Sequence, residues 1–137
     1  VMPDSARGTT RAAAKEFVTY YVAVMDYSAR TLDTSLLESA SAKTCDSCQS
    51  IVQTIDELRT AGGSFVSEPM VVNRVVFRST APDGTLAIVA HVTVPKQTLV
   101  PSPSASPQVT SGDVDSRHFF NVRYDASGWL VTRLDIK

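Results

Sequence analysis

Cysteine is scarce in this chain of 137 residues: there are two, Cys45 and Cys48. Aromatic residues make up 7%, and histidine occurs twice, at His91 and His118. Charge of either sign is not in excess. Thirteen Lys and Arg stand against fourteen Asp and Glu, for a net charge of -1. Nonspecific nucleic-acid binding is driven by neutralising phosphates and needs a basic surplus, so that class is excluded. No apolar run approaches the roughly 18 residues that a membrane-crossing helix requires. A glycine-rich phosphate loop, a nucleophile elbow and a His-Glu-x-x-His metal motif are all missing. What remains is ordinary globular composition, 43% hydrophobic and 20% charged. The length fits one domain over residues 1–137. Surface scaling leaves roughly 7,000 Å² exposed of about 21,500 Å² in the unfolded chain, enough burial for a core without a metal.

The chain opens on Val1 rather than methionine, and the expectation is a trimmed or mature fragment. Nine arginines against four lysines, with Ser and Thr at about 22%, are compatible with an exported protein from a GC-rich genome. The string Thr44-Cys45-Asp46-Ser47-Cys48 allows three readings: a structural disulfide, a redox-active pair, or half of a zinc site. Zinc would need two more ligands, and neither His91 nor His118 has a ligand-like spacing. A redox centre of the thioredoxin kind follows a strand, whereas this pair follows an Ala/Ser-rich helical segment. The structural disulfide is therefore the favoured reading. It closes a four-residue loop and contributes roughly 2 kcal/mol in the chain-entropy model.

Periodicity predicts helices over 10–30, 34–41 and 46–61. In the first, Thr10 is a good N-cap, and Ala14, Phe17, Tyr21, Val24 and Ser28 recur at three- and four-residue steps. Val18, Met25 and Tyr20 widen that stripe, as expected of a helix covered on two sides. Asp46 or Ser47 is the expected start of the third helix, Ile51, Ile55 and Leu58 its buried face, and Gly62-Gly63 its end. After Gly63 the period becomes two. Strands are predicted over 70–79, 85–95, 117–124 and 129–136, with a turn at Pro82-Asp83-Gly84 and a hairpin at Asp125-Ala126-Ser127-Gly128. Alternation puts Leu86, Ile88, Ala90, Val92 and Val94 on one face of the second strand. It puts His118, Phe120, Val122 and Tyr124 together on the third, and Leu130, Thr132, Leu134 and Ile136 on the fourth. Residues 97–114, with Pro101, Pro103 and Pro107 among serines, read as a mobile, solvated loop. The plan is α+β: three N-terminal helices packed on one curved four-stranded antiparallel sheet, leaving a cone whose open end can hold a pocket.

Several strings carry a resemblance: Ala14-Lys15-Glu16-Phe17, Tyr20-Tyr21, Tyr27-Ser28-Ala29-Arg30-Thr31-Leu32-Asp33-Thr34, the Cys45/Cys48 pair, Ile51, Ile55 and Gly62-Gly63. Together they resemble an uncharacterised family of actinobacterial exported lipoproteins with a nuclear transport factor 2-like (cystatin-like) fold. The similarity covers about residues 3–78, and the strands in pattern only. Leu32 departs from it, standing where glycine is expected. The resemblance implies a lipidated cysteine upstream of Val1 and a domain tethered outside the cytoplasmic membrane. It implies no reaction.

The candidate pocket residues are Tyr20, Tyr21, Val24, His118 and Phe120. A histidine base beside a tyrosine donor is chemically adequate for enolisation of the ketosteroid isomerase or dehydratase type. A partly exposed histidine and core tyrosines are the plainer reading. Arg74, Arg78, Arg123 and Arg133, with Asp125 and Asp135, read as a solvated sheet face with ion pairs. The expectation is a noncatalytic cell-envelope domain that binds a small apolar ligand or a partner protein, with no cofactor and no metal. The acid–base enzyme and a redox protein working through Cys45 and Cys48 are the alternatives. Membrane contact is expected only through the upstream anchor. A homodimer burying Val89 and Val131 is left open.

Overall fold

The computed structural model describes residues 2–137. Its helices are α1 (Arg11–Thr31), α2 (Ser35–Ala40) and α3 (Asp46–Thr60), preceded by one 3-10 turn at Asp4–Ala6. Seven strands follow: β1 (Ser64–Ser67), β2 (Val71–Thr80), β3 (Leu86–Val94), β4 (Gln97–Val100), β5 (Gln108–Thr110), β6 (Asp113–Asp125) and β7 (Gly128–Ile136). They form two antiparallel sheets, a main one in the order β2-β3-β6-β7 and a small one in the order β1-β4-β5.

The Thr10 hydroxyl accepts from the Ala13 amide at 3.1 Å and opens α1. The helix then buries Phe17, Val18, Tyr21, Val22 and Val24 against the main sheet and α2. Ile88, Ala90, Val92, Phe120, Val122 and Leu134 supply the sheet side of that core. Each fully buried large apolar side chain contributes about 1.5–3 kcal/mol relative to exposure. The helix ends at Leu32, the one non-glycine residue with positive φ (62°) among those described. A left-handed leucine costs about 1–2 kcal/mol. The conformation is held from outside, because Arg59 of α3 donates from Nη1 to the Leu32 carbonyl at 3.0 Å.

The structure corrects the sequence reading in four places. First, 97–114 is not a solvated loop: β4 and β5 form a hairpin there, and β4 pairs with β1, a strand the periodicity missed. Pro101 and Pro107 stand just outside the paired residues, and Pro103 lies in the turn between them. The prolines shape the turn without removing a ladder hydrogen bond. Second, the expected single sheet is two, with β1, β4 and β5 forming one of their own. The third helix starts at Asp46 as expected and is capped by Cys45, whose Sγ accepts from the Cys48 amide at 3.2 Å. The Ser47 hydroxyl instead accepts from the Leu134 amide at 3.2 Å and ties α3 to β7.

Third, simple alternation fails along β7. Asn121 pairs with Arg133 but Val122 pairs with Val131, leaving Thr132 as the extra residue of a bulge. The bulge turns Trp129 and Val131 inward together with Leu134, in place of Leu130 and Thr132. Val131 is fully buried and its carbonyl accepts from the Ala42 amide at 2.8 Å, so it is not on an outer face with Val89. Fourth, Tyr124 is not covered by the core: paired with Trp129 near the end of the sheet and edge-on to its ring, it is 42% exposed.

Gly62-Gly63 has two separate functions. Gly62 takes the left-handed conformation (φ 72°) just past α3. Gly63 lets β4 come close: a Cβ there would lie 2.4 Å from the Val100 carbonyl oxygen and 2.3 Å from Leu58 Cδ1. Backbone cannot yield to that contact as a side chain can. Gly63→Ala is expected to lower stability by about 1–3 kcal/mol. Gly8→Ala, which meets only an ordinary contact at 3.6 Å, should stay within about 0.5 kcal/mol. Chemical denaturation of both variants checks this, and equal effects would contradict the close-approach argument.

Candidate functional site

The small sheet does not lie on the main one. It faces α3, and between them runs an apolar groove of about 390 Å³. Met25 and Ala29 of α1 form its floor, and Ile51, Ile55 and Leu58 of α3 form one wall, with Ser50 and Thr54 at the rim. Phe65 of β1 and Leu99 of β4 supply the opposite wall. Met70, His118 and Ile136 close one end. Ile51, Leu58, Phe65 and Leu99 are half-buried, as befits side chains that pack on one side and face a hollow on the other. The volume sits at the low end of small-molecule sites.

His118 is the chemically distinctive member. It lies on β6 opposite Ala90 on one side and Ile136 on the other. It is 2% exposed, and neither ring nitrogen has a hydrogen-bond partner among the described residues. A buried polar group normally finds a partner, so an orphaned imidazole at the end of a groove calls for a physical reason. Burial pushes its pKa down to about 4, so the ring is neutral at physiological pH. Asp26 is also buried; burial pushes its carboxyl up, against the pull of Arg30 at 3.5 Å and the Met70 amide.

The other sequence-derived pocket residues lie elsewhere. Tyr21 is fully buried, its ring edge-on to Phe120 at 5.6 Å. Its hydroxyl donates to Ser41 Oγ at 2.7 Å, and Ser41 in turn donates to the Leu37 carbonyl. Burial pushes the Tyr21 pKa up to about 12. Val24 and Phe120 are core, and Tyr20 is half-buried beside Phe17. Of the five, only His118 lines the groove. The groove walls were present in the sequence as the apolar positions of α3, but of their partners Leu99 lies in the segment read as loop and Phe65 in one assigned to no element. The β-prone pair Phe65-Val66 directly after the double glycine was the signal that could have found the first of these strands.

Cys45 and Cys48 are joined by a disulfide, and both are buried. Among the described residues no group of three or more His, Cys, Asp or Glu could hold a metal ion. Nor is any described helix long and apolar enough to cross a membrane. On the outer sheet face, His91 Nδ1 lies 3.1 Å from Asp115 and its Nε2 accepts from Arg74 at 3.2 Å. Arg133 pairs with Asp135 at 3.0 Å. A wider hollow of about 680 Å³ along Gln49, Gln53, Asp56 and Glu57 is the solvated face of α3.

The fold is that of solved nuclear transport factor 2-like α+β proteins. One such neighbour, a nuclear transport factor 2-like protein of unknown function from Shewanella baltica, shares 12% identity and a TM-score of 0.50, covering 95% of this chain and 97% of its own. The intermembrane-space region of the chloroplast protein ARC6 shares 12% identity and a TM-score of 0.58, over 93% and 95%. A protein from Novosphingobium aromaticivorans named as a candidate aromatic ring hydroxylase shares 14% identity and a TM-score of 0.59, over 90% and 87%. At such identities the likeness is one of fold. The chain belongs to the family of unknown function DUF6318, which it matches over residues 1–135. No curated protein matches it in sequence.

A histidine whose pKa drops on folding supports the folded state above its unfolded value of 6.5 and weakens it as pH falls toward 4. Asp26, shifted upward, works in the opposite sense, so a variant is needed to isolate His118. Between pH 7 and pH 4 the wild type should lose about 3 kcal/mol more stability than His118→Phe. At pH 7 the variant should be at least as stable, because an apolar ring of similar shape removes the unpartnered nitrogens. Denaturant titration at both pH values measures this, and parallel pH slopes would contradict it.

Proposed function

We propose that this chain is a noncatalytic, exported cell-envelope domain, lipid-anchored through a segment upstream of Val1, whose groove binds a small apolar ligand. The observation that carries the reading is the apolar groove ending at an unpartnered His118. The buried Cys45–Cys48 disulfide supports an oxidising, extracytoplasmic setting. The actinobacterial lipoprotein assignment rests on the resemblance carried by the helical strings and the double glycine.

Two other readings are weighed by the same geometry. An acid–base enzyme would need a second polar group beside His118. Tyr21, the suggested donor, commits its hydroxyl to Ser41. A redox protein would present its disulfide to a partner thiolate, and here both sulfurs lie within buried residues.

Native and denaturing mass spectrometry of protein exported from an actinobacterial host tests the ligand reading. The expected result is an extra mass that leaves on denaturation and is absent from Ile51→Trp, where the larger ring fills the groove from α3. A wild type that carries only its polypeptide mass would overturn it in favour of a protein-interaction role. The disulfide has its own check. It should resist mild thiol reductants in the folded protein and yield after denaturation, and ready reduction of the native protein would restore the redox reading.

A further inference from the structure

The chain as a whole is nearly neutral, but the outer face of its main sheet is not. Strand register sets the side chains there in rows across the sheet. One row runs Arg74, His91, Arg117 and Lys137. Two residues further along each strand, the next runs Val76, Val89 and Phe119 to Asp135. The third runs Ala87, Asn121 and Arg133, with Arg78 in the bulge of β2 at its edge, and Arg123 follows on β6. Six of the thirteen Lys and Arg therefore share this face. The acids among them are Asp135 and Asp115, which lies beside His91. Asp83 and Asp125 lie in the turns near Arg123, and Asp113 at the opposite end of β6. We propose that this face docks a partner protein whose surface sets carboxylates on either side of an apolar centre. The face is turned away from the helical core and from the groove, so the proposal is independent of the ligand reading.

Internal pairing does not absorb the charge. Arg133 pairs with Asp135 and His91 with Asp115, but Arg74, Arg78, Arg117 and Lys137 make no ion pair with a carboxylate among the described residues. Arg78 and Lys137 instead lie over the Phe119 ring, 5.8 and 5.3 Å from its centroid. These contacts hold two cations beside the apolar row before any partner arrives, which lowers the ordering cost of binding. A shallow hollow of about 170 Å³ between Arg78, Ala87, Val89, Phe119 and Asn121 leaves room for an apolar side chain. The same layout selects among occupants. A second copy set face to face would oppose these cations with their own kind, because an isologous contact repeats one patch. A bilayer takes up apolar side chains that stand proud, whereas Val89 is buried and Phe119 half-buried. A polyanion would neutralise the arginines and leave the apolar row uncovered. A protein surface can meet both demands, since interfaces combine an apolar centre with a polar rim and are enriched in arginine.

Two residues of strand advance about 6.6–6.8 Å. The pentapeptide Glu-Ser-Phe-Ser-Glu, blocked at both ends, therefore offers acid, ring and acid at the spacing of the three rows. The test is amide NMR of the full chain titrated with this peptide at low salt, and with Lys-Ser-Phe-Ser-Lys and Glu-Ser-Ser-Ser-Glu as comparisons. Shifts should be confined to β2, β3, β6 and β7. The first peptide should bind at least about fivefold more tightly than either of the others, and more weakly as salt is added. Arg78→Glu and Arg117→Glu, at exposed positions without an ion pair, should each weaken it at least about fivefold. Lys43→Glu, between α2 and α3, should leave it within about twofold. No shifts with the first peptide would overturn the proposal, and equal binding of Glu-Ser-Ser-Ser-Glu would overturn it in favour of charge alone. Co-sedimentation with phosphatidylglycerol vesicles that Arg117→Glu abolishes, with no peptide binding, would assign the face to a membrane instead. A dimer in sedimentation equilibrium that Arg117→Glu dissolves would assign it to a second copy.

Discussion

Gly63 has no side chain, and the Val100 and Pro101 carbonyls occupy the space where one would stand. That contact sets how closely the hairpin of β4 and β5 approaches the end of α3. Because β1 leaves α3 directly through the double glycine and pairs with β4, this approach helps fix the small sheet relative to the helix, together with the packing of β1 on α1. The small sheet in turn faces Ile51, Ile55 and Leu58 with Phe65 and Leu99. Without it, the apolar side of α3 would be open to water, and there would be no groove. The site is therefore a product of how a helix ends.

The polar groups near the groove run against the usual rule for a core. His118 has no partner, Ser28 Oγ has none among the described residues, and Asp26 is buried with a single arginine and one amide for company. Elsewhere the interior is conventional. Tyr21, Ser41 and Leu37 form a satisfied chain of hydrogen bonds, and Trp129 donates to the Gly8 carbonyl. A sequence that satisfies its buried polar atoms in one half of the core and leaves His118 and Ser28 unpartnered in the other has a local inconsistency. Such inconsistencies concentrate where function resides.

Much of the helical layer was legible because its signals are local. Thr10 caps α1, the stripe from Ala14 to Ser28 is the buried face, and the double glycine ends α3. The four strands of the main sheet were legible from period two. The bulge at Thr132 was not, since nothing in Trp129-Leu130-Val131-Thr132 announces an extra residue, and its register is imposed by β6. The small sheet was hidden by composition, because three prolines and their serines dominate a segment whose pairing residues flank them. The site suffered most. Tyr20, Tyr21, Val24 and Phe120, expected at a pocket, pack in or beside the core, while the groove walls are plain Ile, Leu and Phe whose meaning depends on a long-range contact. His118 was legible by face, and its missing partner became visible only in three dimensions.

The state of that imidazole decides whether this end of the groove is a site. Nitrogen-15 NMR of the two histidine rings across a pH titration reads it directly in the unaltered protein. His118 is expected to stay neutral through the physiological range and down to about pH 4, with ring shifts characteristic of nitrogens free of protein hydrogen bonds. A ring that titrates near 6.5, as an ordinary solvated histidine does, would contradict it and remove the basis for a site at this end of the groove.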